Sequence, residues 1–416
     1  MQLQLNSISL TDKVSAASLG LLPLIALLGN AAADMALVLN VVVFLSTIRA
    51  EIKTYWHSWL LRLAFAFWAW ILLCSALSMF PAHSFQDSLP WIRFPLYAFA
   101  LSVLLARGNG AHIRIFIGAA AFGAVIEFGF MLHEYIYTRQ EYARLHGTFQ
   151  KFTPGWYLVC FGLIAVLWLF QRLRSQKSRL PEWILSGFVF VVTSYGMLIS
   201  GELLNSLIFL VTIVLFFLFQ KFHSRQRVAL VLAGVIVFLF ASISIIWYDA
   251  ALHLRVATAI MTRLPWLSTS DYAPALNAGY HIAELNPIFG VGPKNTFVYC
   301  MALKDQGLME SLLHVSDCPW HPHNLYLQVA GEAGIVGLIL FSMLAIYLVG
   351  QSMLYFVRDK THNNLPIILT PILFFPIQSY SQAFGQSKNF YFWTVVGFVL
   401  YLIRLQLRER GRDASL

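Results

Sequence analysis

Apolar positions along this chain form long runs without the alternation of strands, broken by short polar segments. A bilayer core needs roughly 17 to 25 mainly apolar residues per helix. Cutting at that length gives about twelve spans, near 14–29, 31–48, 58–80, 91–106, 114–137, 154–170, 182–199, 203–220, 228–247, 323–349, 365–380 and 390–405. One stretch, from about 248 to 322, breaks the pattern. It holds helical-looking pieces, "DAALHLRVATAIMTRL" and "LNAGYHIAEL", then a turn-rich "NPIFGVGPKN". The pattern therefore predicts an all-α integral membrane protein in three parts. Spans one to nine occupy 1–247, a large, partly helical loop folded against the membrane face occupies 248–322, and spans ten to twelve with a short tail occupy 323–416.

Composition agrees. The chain is 59% hydrophobic and 11% charged, with a mean hydropathy of +0.69, which excludes a water-soluble globule with one ordinary core. The start "MQLQLNSISLTDKVSAASLG" lacks the basic n-region and cleavage site of a secretory signal and reads as retained. With both termini inside, 19 of the 28 Lys and Arg lie on the inner side and 9 outside (Arg93, Arg139, Arg144, Lys151, Arg255, Arg263, Lys294, Lys304 and Lys388), as the positive-inside rule expects. The net charge of +9 thus reflects topology. It makes no continuous basic face, so no nucleic-acid partner is expected.

Cys74 and Cys160 fall in spans and read as small apolar residues. Cys300 and Cys318 share the outer loop and are either two free thiols or a disulfide. The disulfide is favoured, because closing a loop of that size contributes about 3 kcal/mol. The outer acids Asp249, Asp271, Glu284, Asp305, Glu310 and Asp317 are dispersed and offer no compact oxygen set for Mg²⁺ or Mn²⁺, so no metal and no other cofactor is expected.

The stretch "HPHNLYLQVAGEAGIVG", His321 to Gly337, places three polar side chains directly ahead of an apolar run. Pro322 suits a first helical turn, and at about 100° per residue His323, Leu327, Ala330, Gly334 and Gly337 share one stripe. A smooth stripe lets a neighbouring helix approach and hold His323 toward the bundle. Glu332 faces the opposite side at membrane depth, where a carboxylate requires a partner. Two readings fit: His321, His323 and Asn324 cap a helix and meet lipid headgroups, or they form a site. Glu127, deep in the fifth span, is similarly either functional or a buried structural pair.

His323-Asn324, nine residues and then Gly334-Ile335-Val336-Gly337 match the pattern His, Asn/Ser/Gln, nine residues, Gly-x-x-Gly that resembles the signature of the O-antigen ligase family. "NPIFGVGPKNTF", Asn286 to Phe297, resembles the family's Pro-x-x-Gly-x-Gly loop, and "ARLHGTF", Ala143 to Phe149, its Arg-x-x-Gly segment. About twelve spans with a large loop between the ninth and tenth resembles the family's GT-C-like architecture along nearly the whole chain. The resemblance implies an enzyme of the bacterial inner membrane, embedded among membrane lipids with its active site facing the periplasm. Such an enzyme moves an undecaprenyl-pyrophosphate-linked O-antigen donor onto a lipid A-core acceptor, with inversion.

That chemistry gives the residues their expected roles. An acceptor hydroxyl must lose a proton as it attacks the anomeric carbon, and His323 is the candidate base. Arg144, which matches a family position, and Arg139, Arg263 and Lys294 are candidates for the leaving pyrophosphate. For the last three the alternative is a solvated loop charge or a headgroup contact. His321 is secondary, and Asn324 would orient the base or the acceptor. Two positions depart from the family: Glu202, in "ISGELL", and Tyr272, in "DYAPALN", stand at or near places where members usually carry arginine. The O-antigen polymerases and the protein O-oligosaccharyltransferases are alternatives within the resemblance, and the lack of a large external C-terminal domain weighs modestly against the latter. A glycan or lipid transporter fits less well, because no internal repeat is seen and the polar candidates cluster at one face.

Overall fold

The computed structural model describes residues 10–47, 58–107, 110–138, 145–149, 154–173, 180–219, 273–358, 365–374, 383–384 and 386–409, together with 234, 236 and 240. Among these residues the regular elements are helices, and no strand occurs. They include α1 Leu10–Ala26, α2 Asn30–Thr47, α3 Trp59–Leu77, α4 Pro81–Ser88, α5 Arg93–Arg107, α6 Ala111–His133, α7 Leu163–Arg172, which continues a helical stretch from Pro154, α8 Leu180–Ile199 and α9 Leu203–Phe219. The loop helices are α10 Ala273–Leu285, α11 Thr296–Asp305 and α12 Met309–Leu313, followed by α13 Leu325–Arg358, α14 Leu365–Phe374 and α15 Gln386–Glu409. Six helices among the described residues are long and apolar enough to cross a membrane, and four shorter ones are apolar as well. The stretch "DAALHLRVATAIMTRL" and most of the ninth expected span lie outside the described residues.

The middle of the bundle is α5 packed on α15, with α2 alongside and α1 on α6. Nearly every α5 side chain from Phe94 to Leu105 is buried, which is why the sequence there is apolar on all sides. Two polar pairs lie inside it: Tyr97 Oη meets Thr394 Oγ1 at 2.9 Å, and Arg404 Nε donates to Ser102 Oγ at 3.1 Å. The Arg404 guanidinium also lies over the Phe99 ring at 4.5 Å. Beside this core, α3 packs along α13 and α10 crosses the start of α13.

The loop helices build their own small core from Ala278, Ile282, Val291, Leu303, Met309 and Leu313. A disulfide joins Cys300 to Cys318, with Cα atoms 5.7 Å apart, and closes this unit. Cys74 and Cys160 are free and buried. Only "LNAGYHIAEL" of the expected loop helices falls among the described residues, within α10, and α11 and α12 were not foreseen.

A carboxylate-anchored loop in a broken helix

At 34 residues α13 would be about 51 Å long if continuous, well beyond a bilayer core. It is interrupted at Gly334, whose backbone sits at φ 68 and ψ −172, a region open essentially to glycine alone. The break corrects the expected stripe: Gly334 is a discontinuity in the helix, and a Cβ there would lie 1.9 Å from the carbonyl oxygen of Ile288.

The turn-rich segment 286–295 fills the gap. Ile335 N–H, which would meet Gly331 O in an unbroken helix, donates to Pro287 O at 2.8 Å. Gly331 O then accepts from Val291 N–H at 2.8 Å and Glu332 O from Gly292 N–H at 3.0 Å. Ala333 O accepts from Trp70 Nε1 of α3 at 2.8 Å. Three carbonyls around the break are therefore satisfied inside the protein, as a bilayer demands. The segment does more than rest on the membrane face as expected; it threads between α3 and α13, where Phe289 stacks on Trp70 with ring centroids 5.4 Å apart.

Glu332 locks this arrangement. It is buried, and its carboxylate accepts from Thr296 Oγ1 at 2.6 Å, Lys294 N–H at 2.8 Å and Gln328 Nε2 at 3.2 Å. The anticipated partner is thus a loop and a helix start. Gln328, one turn before Glu332, also accepts from Ala383 N–H at 2.9 Å through Oε1. Sequence reading passed over Gln328, although Gln and Glu four apart share a helix face. Lys294 presents its backbone to Glu332, with its residue at φ 67, while its ammonium lies 4.0 Å from Asp87. On the same loop Asn295 is buried, and its Oδ1 lies 2.8 Å from His83 Nδ1.

His323 precedes the helix. α13 begins at Leu325, so neither Pro322 nor His323 belongs to its first turn, and His323 has a left-handed backbone, φ 52. Asn324 is the cap: its Oδ1 accepts from Tyr326 N–H at 2.9 Å and Leu327 N–H at 3.1 Å, which engages the oxygen of a side chain expected to orient the base or the acceptor. The His321 and His323 rings lie together, with centroids 4.2 Å apart. Pro322 between them is seated on α10, where a Cβ at Gly279 would come within 2.6 Å of its own Cβ. Gly337, below the break, faces Trp70.

Other expected residues resolve differently. Arg139, Arg144, Arg263 and Tyr272 lie outside the described residues. Glu202 accepts from Gly155 N–H at 3.1 Å and from Asn205 Nδ2. Glu127 is buried in α6 and accepts from Thr148 Oγ1 at 2.6 Å and, more weakly, from Thr148 N–H at 3.3 Å. Glu134, two turns on, takes His146 N–H at 2.8 Å and Gly147 N–H at 2.9 Å, with His146 Nδ1 3.0 Å away. Two of the dispersed loop acids have local partners: Glu284 meets His281 at 3.1 Å, and Asp317 meets Lys304 at 3.0 Å. The Lys304 bond holds the Asp317 carboxyl below the usual carboxylate range.

The O-antigen ligase family profile matches residues 188–342, from α8 through the loop and past the break at Gly334. No curated protein matches the chain. Members of that family are membrane glycosyltransferase-like enzymes. Residues 188–342 thus match the O-antigen ligase family, and this match supports an assignment to that family.

Proposed function

We propose that this chain is an O-antigen ligase that transfers a glycan from undecaprenyl pyrophosphate to lipid A-core, at a site facing the periplasm. In this reading about twelve spans hold it in the inner membrane. The observation that carries the reading is the family match across a segment in which His323 is fixed just ahead of α13 by a capped helix start, beside His321. His323 takes the proton of the acceptor hydroxyl. The acceptor oxygen bonds the anomeric carbon from the face opposite the pyrophosphate, the carbon–oxygen bond to the pyrophosphate breaks, and the electron pair leaves with the lipid. Cations hold that charge, with Lys294 on the anchored loop and Arg144, Arg263 and Arg139 as the other donor-binding residues. No metal takes part, so activity survives EDTA.

Deleting the gene and resolving the lipopolysaccharide on a gel tests this directly. Free lipid A-core without long chains supports the ligase. Single-repeat capping would point to a polymerase instead, and unchanged lipopolysaccharide with unglycosylated protein to a protein transferase. In vitro, Lys294→Ala and Arg144→Ala should each weaken donor dependence by roughly ten- to a hundredfold, because a charge-assisted contact is worth about 1.5 to 3 kcal/mol.

A further inference from the structure

Trp320 closes the loop unit and stands three residues before His323. Its side chain is 75% exposed, yet one face is covered: the Phe297 ring lies parallel to it, with centroids 4.1 Å apart and planes 8° apart. With one face occupied, that much exposure leaves the other face and the edges of the indole open. Phe297 is itself half-buried against the small core that contains Cys300 and Leu303. Cys318, two residues before Trp320, is tied to Cys300. The open indole face is therefore fixed in orientation twice, through its backbone and through its ring.

A tryptophan that merely anchors a protein in the headgroup region works with a free ring and needs no backing partner. A backed ring has already lost its rotamer freedom and suits a ligand that must lie in one orientation. The ligand chemistry that fits a flat, electron-rich face with open edges is a ring with an apolar C–H face and polar groups around its rim. A pyranose is such a ring. Three residues of chain reach about 10 Å at most, so a sugar on Trp320 sits within one or two units of one at His323.

We propose that the open face of Trp320, backed by Phe297, is a stacking subsite for one pyranose of the glycan bound next to His323. The proposal rests on the glycosyl-transfer reading and extends it to a binding contact outside the reacting atoms. The sugar could belong to the acceptor oligosaccharide or to the donor glycan, and the test separates them.

Purified full-length protein in nanodiscs, as wild type, Trp320→Ala and Trp320→Tyr, is assayed for transfer while acceptor and donor are varied in turn. Trp320→Ala should raise KM for one substrate on the order of tenfold with kcat little changed, and Trp320→Tyr should remain within about threefold of wild type. The substrate whose KM moves is the one that stacks. KM values unchanged for both substrates, or a fall confined to kcat, would overturn the proposal. Should Trp320→Ala fail to fold, hydroxyl-radical footprinting of the wild type decides: delipidated core oligosaccharide or donor glycan should protect Trp320, and protection by the bilayer alone would overturn the subsite. The same footprint on His323→Asn keeps the two claims apart. Sugar protection with transfer intact in that variant would sink the base and leave the subsite standing.

Discussion

Two buried carboxylates, Glu332 and Glu127, sit in different halves of the molecule and do the same thing to different extents. Neither has a cation as its closest partner. Each accepts from a backbone N–H and a threonine hydroxyl of a connecting segment, Lys294 and Thr296 for one, Thr148 for the other, and so pins a loop to a helix inside the bundle. The attachments differ in strength. Glu332 has N–H and O–H donors at 2.8 and 2.6 Å, a glutamine on its own helix, and a zipper of backbone bonds across the break beside it. Glu127 has one close donor and a longer N–H bond, and Glu134 shares the holding of its loop. An intramembrane carboxylate need not mark proton or ion traffic; here it supplies the acceptors that let non-helical chain enter the bundle.

Substitutions should separate the two anchors in graded steps. Gly334→Ala should have the largest effect, because it forces a residue with Cβ into a glycine-only conformation and against the Ile288 carbonyl. Little folded protein should be recovered on size-exclusion chromatography. Next comes Glu332→Ala, which strands an N–H, a hydroxyl and an amide in the interior. At about 1 to 3 kcal/mol per unsatisfied group, the loss should be several kcal/mol, with Glu332→Gln recovering part of it, read as the thermal midpoint in detergent. Glu127→Ala should lower the same midpoint less, since it strands two groups of Thr148, the hydroxyl and a more weakly held N–H, where Glu332→Ala strands three. Equal losses for Glu332 and Glu127 would remove the distinction between the two anchors.

Asp317 serves as the exposed control. Its pKa lies below the unfolded value, so whatever its bond to Lys304 contributes is present above the ordinary carboxylate range and fades as pH falls through the folded pKa. Water screens the pair, so Asp317→Asn should leave the midpoint at neutral pH unchanged.

The sequence pattern exposed the helices and marked the segment 286–295 as turns, because apolar runs and Gly/Pro punctuation report local conformation directly. It hid the break at Gly334. The apolar run continues through the break, and glycines three apart look the same whether they line a packing face or let the backbone turn. The partners that satisfy the freed carbonyls come from Trp70 and Val291, far away in the chain. His323 was misplaced for a related reason. Pro-His-Asn fits a helix start in more than one register, and Asn324, among the preferred capping residues, sets the start at Leu325, two residues later than expected. The Phe297–Trp320 stack left no periodic trace, since its two rings lie 23 positions apart on separate elements.

In the proposed mechanism His323, and not His321, takes the proton. Asparagine tolerates the left-handed backbone at 323 better than most residues, so His323→Asn removes the base while sparing the loop. The decisive measurement is transfer at saturating donor and acceptor for His323→Asn and His321→Asn, each with a wild-type thermal midpoint. With His323 as the base, kcat should fall by about 10² to 10⁴ for His323→Asn and by much less for His321→Asn. A folded His323→Asn enzyme within tenfold of wild type would contradict it.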